Sequence, residues 1–341
     1  MPDGILIVDK PAGWTSMDVC AKIRGILREK RVGHAGTLDP MATGVLPVFV
    51  GRATKAVPFA ESGEKEYLAA LRLGLVTDTQ DITGETLEKN DPSAVTEEQI
   101  RAVLPCFTGE IAQLPPMYSA VKVNGQRLYA LARKGQNVER KPRNITVFEL
   151  ELTGRSPEGD FLLRCRCSKG TYLRTLCHDI GQALGCGGAM AALRRTMAAG
   201  CLLTEAVTLE DVQTRGAELL RPLDTLFARY SAYRLPSEGK ERRVRCGNPV
   251  TAPGLPDGVY RVYSPGGDFL CLSRASGETL TPLKISSGAD PGHPKGGTCP
   301  HARTCHRPGL LRRRPPGSRG LAAPGRGGGP AAGLHPGCLH L

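Results

Sequence analysis

An acid and a histidine lie five residues apart in a glycine-rich segment, residues 33–44, and they are the first candidates for chemistry in this sequence. Asp39 precedes Pro40, whose ring disfavours helix at the residue before it, so the carboxylate is expected on an extended part of a loop. The apolar run 45–50 that follows predicts a strand as a rigid base. A carboxylate can attack an electrophilic carbon without a metal or cofactor, provided that a nearby cation keeps it ionised. A solvated turn aspartate explains the same residues equally well, because Asp before Pro commonly begins turns.

An arginine near the start of a predicted helix is a candidate partner for a carboxylate. Residues 161–168 alternate in part as a strand does, a Lys-Gly pair then predicts a turn, and residues 171–180 predict a helix. Arg174 would lie near the helix start with Tyr172, and it could bind a carboxylate through two nitrogens, as a lysine could not. For any single arginine, an exposed surface position is the ordinary alternative.

Several predicted elements would hold these residues in place. The run 5–8 predicts a buried strand, and Thr15 with Asp18 has capping-box spacing before a helix whose apolar residues repeat at helical intervals. Tyr67 is predicted to start a mostly buried strand, and Leu193 to begin another.

Between these strands the sequence predicts a turn and a second helix. Residues 78–84 have turn chemistry, and Thr96 with Gln99 predicts a capped helix.

Composition limits the class of protein. The chain has 341 residues and a net charge of +12, of which residues 287–341 contribute eight Lys or Arg and one Asp, leaving the body near +5. A modest positive charge suits a polyanionic partner but does not require one. The 12 cysteines are scattered and no early apolar run is long enough for secretion or membrane insertion, so we expect a soluble protein in a reducing cytoplasm.

Residues 115–145 differ from the rest of the chain and predict a basic, protruding insertion. Lysines and arginines alternate there with tyrosines, a mixture that could hold phosphates and stack on bases. An ordinary solvated helical hairpin is the alternative. The basic residues are Lys122, Arg127, Arg133, Lys134, Arg140, Lys141 and Arg143.

Several motifs together resemble those of the bacterial tRNA pseudouridine-55 synthase family, the TruB type, in their order and spacing. They cover about the first 230 residues. The motifs are Lys10-Pro11 with Gly13 and Thr15-Ser16, residues 33–44, Lys65-Glu66-Tyr67, Pro116-Met117-Tyr118-Ser119-Ala120, Gly170-Thr171-Tyr172-Leu173-Arg174-Thr175-Leu176, and Leu193-Arg194-Arg195.

The resemblance implies a role for each residue of the predicted site. Asp39 matches the catalytic aspartate, the nucleophile that lets uracil detach from its ribose, rotate and rejoin through carbon. Arg174 matches the arginine paired with that aspartate. Tyr67 matches the tyrosine that stacks on the target base and is proposed to assist proton removal, while Tyr172 and Leu193 match residues that line the same pocket.

The resemblance also implies how RNA would be bound. His34 matches the histidine that inserts into the tRNA T-loop where flipped bases were, a role that suits a flat ring. Lys10 and Pro11 match a motif that supports the catalytic loop, and whether Lys10 also touches phosphate stays open. The insertion matches the segment that closes on the T-arm, and the family's recognition of an isolated stem-loop implies that shape and phosphate contacts dominate.

The C-terminal third departs from a single catalytic domain. Residues 231–286 predict a small β module that resembles the abbreviated, PUA-like RNA-binding module of bacterial members. Residues 287–341 are rich in Gly, Pro, Ala and Arg and cannot build a core, so we expect a disordered tail, the product of a shifted or unrelated reading frame. Cys299, His301, Cys305 and His306 fit no common zinc spacing.

We therefore expect an α+β catalytic domain, residues 1–230, built on a largely antiparallel mixed sheet with flanking helices. The expected function is conversion of uridine 55 to pseudouridine in the tRNA T-loop by a monomer that needs no cofactor, metal, guide RNA or protein partner. A tRNA-binding folding chaperone with lost or secondary catalysis is the alternative, and a guide-RNA-dependent synthase subunit acting on ribosomal RNA is a weaker one.

Overall fold

The structure, a computed structural model, describes residues 2–123 and 125–283, all within one compact unit. The expectations for residues 287–341, including the Cys and His residues at 299–306, concern a part of the chain outside the described residues.

Eighteen strands occur in the described ranges. They are β1 Gly4–Lys10, β2 Val32–His34, β3 Thr43–Val50, β4 Lys65–Leu73, β5 Leu75–Thr77, β6 Thr86–Lys89, β7 Gly109–Gln113, β8 Lys122–Val123, β9 Gln126–Arg127, β10 Arg143–Arg155, β11 Phe161–Cys167, β12 Gly188–Ala198, β13 Cys201–Leu202, β14 Ser231–Arg234, β15 Val250–Thr251, β16 Gly258–Tyr263, β17 Phe269–Ser276 and β18 Thr279–Pro282. The α-helices of the same ranges are α1 Ser16–Leu27, α2 Val57–Glu61, α3 Glu97–Val103, α4 Leu128–Ala132, α5 Leu173–Ala183, α6 Leu209–Arg215 and α7 Glu238–Arg245.

Nine of these strands form the main sheet, in the order β1-β3-β12-β4-β11-β10-β7, with β2 and β13 paired to β3 and β12. All of its pairings are antiparallel except that of β12 with β3. The predicted α+β fold with a largely antiparallel mixed sheet is therefore confirmed. The single parallel junction among the described strands joins the second and third strands of that order, β3 and β12, and it brings Arg195 beside Gly44.

Helices pack against the apolar side chains of the main sheet. On β11 the buried residues alternate with half-buried ones, among them Arg164 and Arg166, as a strand with one covered face requires. Its inward side chains pack with Leu176 and Ile180 of α5 and Ile100 of α3, while Leu6, Val8 and Leu46 of β1 and β3 pack against α1. Burying a leucine or isoleucine in this way contributes about 1.5–3 kcal/mol each.

The helix starts were predicted correctly because capping is local in sequence. Thr15 and Asp18 make the predicted capping box at α1, and Thr96 and Gln99 make the second at α3. The strand that was expected to begin at Leu193 instead begins at Gly188, because residues 188–192 pair with β4.

The segment between β2 and β3 carries Asp39, and we call residues 35–42 the Asp39 loop. It is shorter than the predicted loop, since His34 ends β2 and Thr43 begins β3. The turn between β5 and β6, residues 78–85, is joined to β12 by two backbone hydrogen bonds, Ile82 N–H to the Met190 carbonyl and Met190 N–H to the Gln80 carbonyl, both 3.0 Å.

The predicted insertion is not a helical hairpin, and of its described residues only 143–145 belong to the main sheet, as the start of β10. It contains a two-residue strand pair, β8 with β9, followed by the short helix α4. Because β10 begins at Arg143, we use the term basic insertion for residues 115–142.

A second sheet follows the main sheet along the chain, in the order β14-β16-β17-β18-β15, and confirms the predicted C-terminal β module. Its core includes Leu235, Val262 and Leu280. Leu272 of β17 instead packs with Phe227 and Ile5, so the module shares apolar contacts with the main sheet.

Candidate active site

Asp39 and Arg174 form an ion pair although 135 positions separate them in the sequence. The distance is 3.0 Å from Arg174 Nε to Asp39 Oδ2 and 3.4 Å from Nη2 to Oδ1. The Arg174 side chain is 7% exposed and that of Asp39 is 37% exposed. The arginine is thus buried while the carboxylate is partly exposed, and the alternative of a surface arginine is wrong.

A second acid, Asp81, contacts the same arginine, and the sequence analysis did not find it. Arg174 Nη1 lies 3.5 Å from Asp81 Oδ2 and donates to the Thr79 carbonyl at 3.1 Å. Asp81 is buried, and the side-chain hydroxyls of Thr79 and Thr83 donate to its Oδ1. One buried cation therefore serves two carboxylates, of which only Asp39 is open to a ligand.

The remaining donor of Arg174 reaches the basic insertion. Its Nη2 donates to the backbone carbonyl of Tyr118 at 2.8 Å. Every nitrogen of the guanidinium thus has a partner, which fixes the plane in which it meets Asp39.

The N-terminal side of the molecule holds the Asp39 loop through backbone contacts. Ser16, the first residue of α1, accepts from the Leu38 N–H at 2.9 Å. Lys10 is fully buried, and its Nζ donates to the carbonyls of Pro11, Trp14 and Pro40 at 2.9, 2.6 and 3.1 Å. An ammonium has three N–H donors, so Lys10 is fully occupied by these carbonyls, of which that of Pro40 belongs to the Asp39 loop. A phosphate contact by the same group would require one of these bonds to break.

Tyr67 and Leu193 lie in one apolar cluster with Leu38, Ala42 and Leu173. Tyr67 is 6% exposed, in β4, opposite Cys165 on one side and Arg195 on the other. The two predicted pocket residues are thus brought together next to the Asp39 loop. An apolar wall of this kind could retain a detached base while it turns.

Tyr172 precedes α5 as its N-cap residue, and Gln113 at the end of β7 holds its backbone. The Tyr172 N–H donates to Gln113 Oε1 at 2.8 Å, and Gln113 Nε2 donates back to the Tyr172 carbonyl at 3.1 Å. Gln113 is buried and was not predicted. It fixes the start of the helix that carries Arg174.

His34 ends β2 on the other side of the Asp39 loop and is half-buried. Its Nδ1 is buried and has no hydrogen-bond partner among the described residues. Burial lowers the pKa of His34, and the charge of Arg195 adds to the effect, so the ring is neutral near pH 7. A neutral ring is suited to stacking.

Burial changes the proton affinity of the groups around the loop in different directions. It raises the pKa of Asp39, an effect that Arg174 opposes and Asp81 reinforces. Burial lowers the pKa of Lys10 to about 8 and raises that of Tyr67 to about 12. Near pH 7 the Tyr67 phenol is therefore protonated in the free protein, and Asp39 is the group with the chemistry of a nucleophile.

Within residues 2–123 and 125–283, no group of three or more His, Cys, Asp or Glu side chains is arranged to bind a metal ion. In the same ranges no helix is long and apolar enough to cross a membrane.

Known proteins share both the sequence and the fold. The family model described as TruB family pseudouridylate synthase, N terminal domain, matches residues 24–173, and that of the tRNA pseudouridylate synthase B C-terminal domain matches residues 174–228. The tRNA pseudouridine synthase B of Thermobifida fusca (strain YX) is 42% identical over 85% of this chain and 100% of its own length. That of Stutzerimonas stutzeri (strain A1501) is 45% identical over 80% and 92%.

A solved structure, the crystal structure of a Cbf5-Nop10-Gar1 complex, contains a chain of the same fold. The two match with a TM-score of 0.62 and 28% identity, over 83% of this chain and 84% of the other. The fold and the family models, together with the pair of an acid and a buried arginine, define a pseudouridylate synthase. Within that class, the chain belongs to the TruB family.

Proposed function

We propose that this protein converts uridine 55 of tRNA to pseudouridine, with Asp39 as the nucleophile. The observation that carries the proposal is the position of Asp39, partly open to solvent and 3.0 Å from a buried arginine. The relatives' shared name, tRNA pseudouridine synthase B, supports tRNA as the substrate. We place the reaction in the cytoplasm because tRNA is the substrate.

The reaction is an isomerisation, so it needs no co-reactant. The bond between the ribose and N1 of uracil breaks, the base turns within the apolar wall of Tyr67 and Leu193, and a bond forms from the ribose to C5. The proton on C5 leaves and N1 gains one, so atoms and electrons balance. Arg174 keeps Asp39 ionised for this step, and the buried Asp81 limits how far the arginine lowers the nucleophile's proton affinity.

The target base must leave its stack to reach Asp39. We assign His34 to the space that the flipped bases vacate, and the exposed basic residues of the basic insertion to the phosphates of the T-arm. Shape and phosphate contacts then dominate recognition, so a T-arm stem-loop is a sufficient substrate. We further propose that the chain acts as a monomer, without a guide RNA or a protein partner.

One experiment tests these assignments together. The purified full chain is incubated with an unmodified tRNA transcript and with its isolated T-arm, and pseudouridine is mapped at nucleotide resolution. We expect modification at position 55 in both RNAs. Absence of product from the chain alone, with product restored by added guide RNA or protein, would contradict autonomy. Binding and refolding of tRNA without any pseudouridine would favour the folding chaperone.

A further inference from the structure

Arg195 is the largest side chain that is completely buried in the described residues, and so far it has entered only through its charge near His34 and its place opposite Tyr67. It lies on β12, two residues after Leu193, at the only parallel pairing of the main sheet within those residues. Burying an arginine is costly unless its charge is compensated. The burial of Arg195 therefore requires an explanation in terms of its contacts.

The guanidinium of Arg195 bridges the two sides of the Asp39 loop. Nε donates to the Val45 carbonyl at 2.7 Å, and Nη2 donates to the Gly36 carbonyl at 2.9 Å. Gly36 precedes Asp39 and Val45 follows it. One planar group thus sets the distance between the entry and the exit of the loop.

The backbone around Arg195 leaves no room for the loop to shift toward β12. Gly44 pairs with Arg195 and has φ +102°, and a Cβ at this position would overlap the Arg195 carbonyl oxygen. Gly36 has φ +74°, and a Cβ there would lie 3.2 Å from Arg195 Nη1. Gly44 is thus required by the close approach of its backbone to that of Arg195, and Gly36 is favoured by its positive φ.

The charge of Arg195 is not neutralised by an acid. No carboxylate of the described residues lies within 4.0 Å of its guanidinium, and Nη1 has no hydrogen-bond partner among them. The neighbouring strand places Tyr67 directly opposite Arg195. The positive charge opposes the burial that raises the pKa of the Tyr67 phenol, so the two side chains are also coupled electrostatically.

We propose that Arg195 is a positioning residue, whose guanidinium holds the Asp39 loop in a fixed relation to the ring of Tyr67. The nucleophile and the wall of the base pocket lie on different elements, and Arg195 touches the supports of both. The expected effect on the reaction rate rests on the proposed function, whereas the expected effect on the position of the Asp39 loop does not. A displacement of the loop by about 1 Å would reduce the rate about 100-fold.

The test is Arg195→Lys, which keeps the charge but cannot reach two carbonyls in one plane. The matched control is Arg72→Lys, because Arg72 lies on β4 of the same sheet and binds Asp160 through two nitrogens, away from the Asp39 loop. Single-turnover rates at saturating enzyme, tRNA dissociation constants and hydrogen exchange of peptides covering residues 35–44 are measured for both variants and the native chain.

For Arg195→Lys we expect a rate about 100-fold lower, a dissociation constant within about 2-fold of native, and about 10-fold faster exchange in the loop peptides. A rate within 3-fold of native together with unchanged exchange would overturn the proposal. So would a loss of rate that is fully explained by weaker tRNA binding or a smaller folded fraction.

A second variant covers the case in which Arg195→Lys does not fold. Gly36→Ala leaves Arg195 intact but places a methyl group against its Nη1, and the same slow chemistry with retained binding is expected. Native activity in Gly36→Ala would count against the proposal. If the native chain forms no pseudouridine at all, the proposed function fails, while the exchange data still decide whether Arg195 holds the loop.

Discussion

The Asp39 loop and the basic insertion both contact Arg174, but they are held in opposite ways. The loop is held at its backbone by buried side chains of other elements, Lys10, Ser16 and Arg195. The hydrogen bonds of the insertion run largely within it, for example from the Leu128 N–H to the Val121 carbonyl.

The difference extends to side chains. Around the loop the cations are buried and each donates to carbonyl oxygens, whereas the insertion exposes its cations and stacks Arg127 and Arg133 near the ring of Tyr129. Exposed cations on a lightly attached segment can follow a phosphate backbone, while a nucleophile must keep its position. We therefore expect changes at the loop to alter the rate in the bound complex, and changes in the insertion to alter binding.

The strongest test of this division is Asp39→Asn. The amide is nearly the same size but lacks the nucleophilic charge, so turnover should fall below detection, a loss of at least about 10⁴-fold. Binding of tRNA, measured by filter retention, should stay within about 2-fold. Unchanged pseudouridine formation on a T-arm transcript would show that the enzymatic assignment to Asp39 is wrong.

Asp81→Asn should have the next largest effect. The change leaves one nitrogen of Arg174 facing a weaker acceptor, so the ion pair with Asp39 shifts and the single-turnover rate falls about 100-fold. Glu88→Gln, an exposed acid on the same hairpin, is the control and should react at the native rate. Equal loss of tRNA binding and rate in Asp81→Asn would indicate a folding defect instead of a positioning one.

His34 directly precedes the Asp39 loop, but we expect it to act in RNA binding, and His34→Ala tests this role. Loss of one stacking ring should weaken tRNA binding about 10-fold, as base stacking on an aromatic contributes about 1–3 kcal/mol. The rate at saturating enzyme should change much less. The control is His178→Ala on α5. Comparable loss of binding in Asp39→Asn and His34→Ala would contradict the assignment of Asp39 to the reaction and of His34 to RNA binding.

In the basic insertion, Lys134→Gln with Lys141→Gln removes two exposed charges. Binding should weaken about 5-fold near physiological salt, and the slope of log K against log salt should fall by about 2, since each phosphate contact contributes roughly 0.9. The bound complex should react at the native rate. A Lys55→Gln and Lys89→Gln pair serves as the charge-matched control. An unchanged salt slope would show that these two lysines of the insertion do not contact phosphates.

The smallest expected effect is on the pH dependence. Burial and Asp81 raise the pKa of Asp39, so its ionised fraction is lost at a higher pH than for an ordinary aspartate as the pH falls. The single-turnover rate should therefore decline on the acid side above the usual aspartate range. Asp81→Asn removes a nearby negative charge and should move that decline to lower pH. A shift toward higher pH would contradict the electrostatic role of Asp81.

The parts of the fold that the sequence predicted are those determined locally. Capping at Thr15 and Thr96 depends on residues three positions away, and the alternation in β11 depends on the strand itself. The start of β12 was missed because residues 186–188, Cys-Gly-Gly, resemble a helix end more than a strand. Their conformation is set by pairing with β4 and by contact with α5.

Within the site, the sequence identified Asp39 and Arg174, but it did not identify the contacts of Asp81, Gln113 and Arg195, because those contacts are not local in sequence. The first two occur in motifs of the resemblance. Asp81 looks like any aspartate in a turn between threonines, and only the docking of that turn on β12 brings it to Arg174. Arg195 lies in one of the motifs, but the sequence predicted no role for it. Its burial depends on carbonyl groups that come from distant segments.

The hydrogen bond from Arg174 to the Tyr118 carbonyl has a consequence for the ion pair with Asp39. If the insertion moved away from Arg174, this bond would break, and the guanidinium that pairs with Asp39 would lose one of its fixed partners. We therefore expect the geometry in which Arg174 meets Asp39 to depend on the position of the insertion.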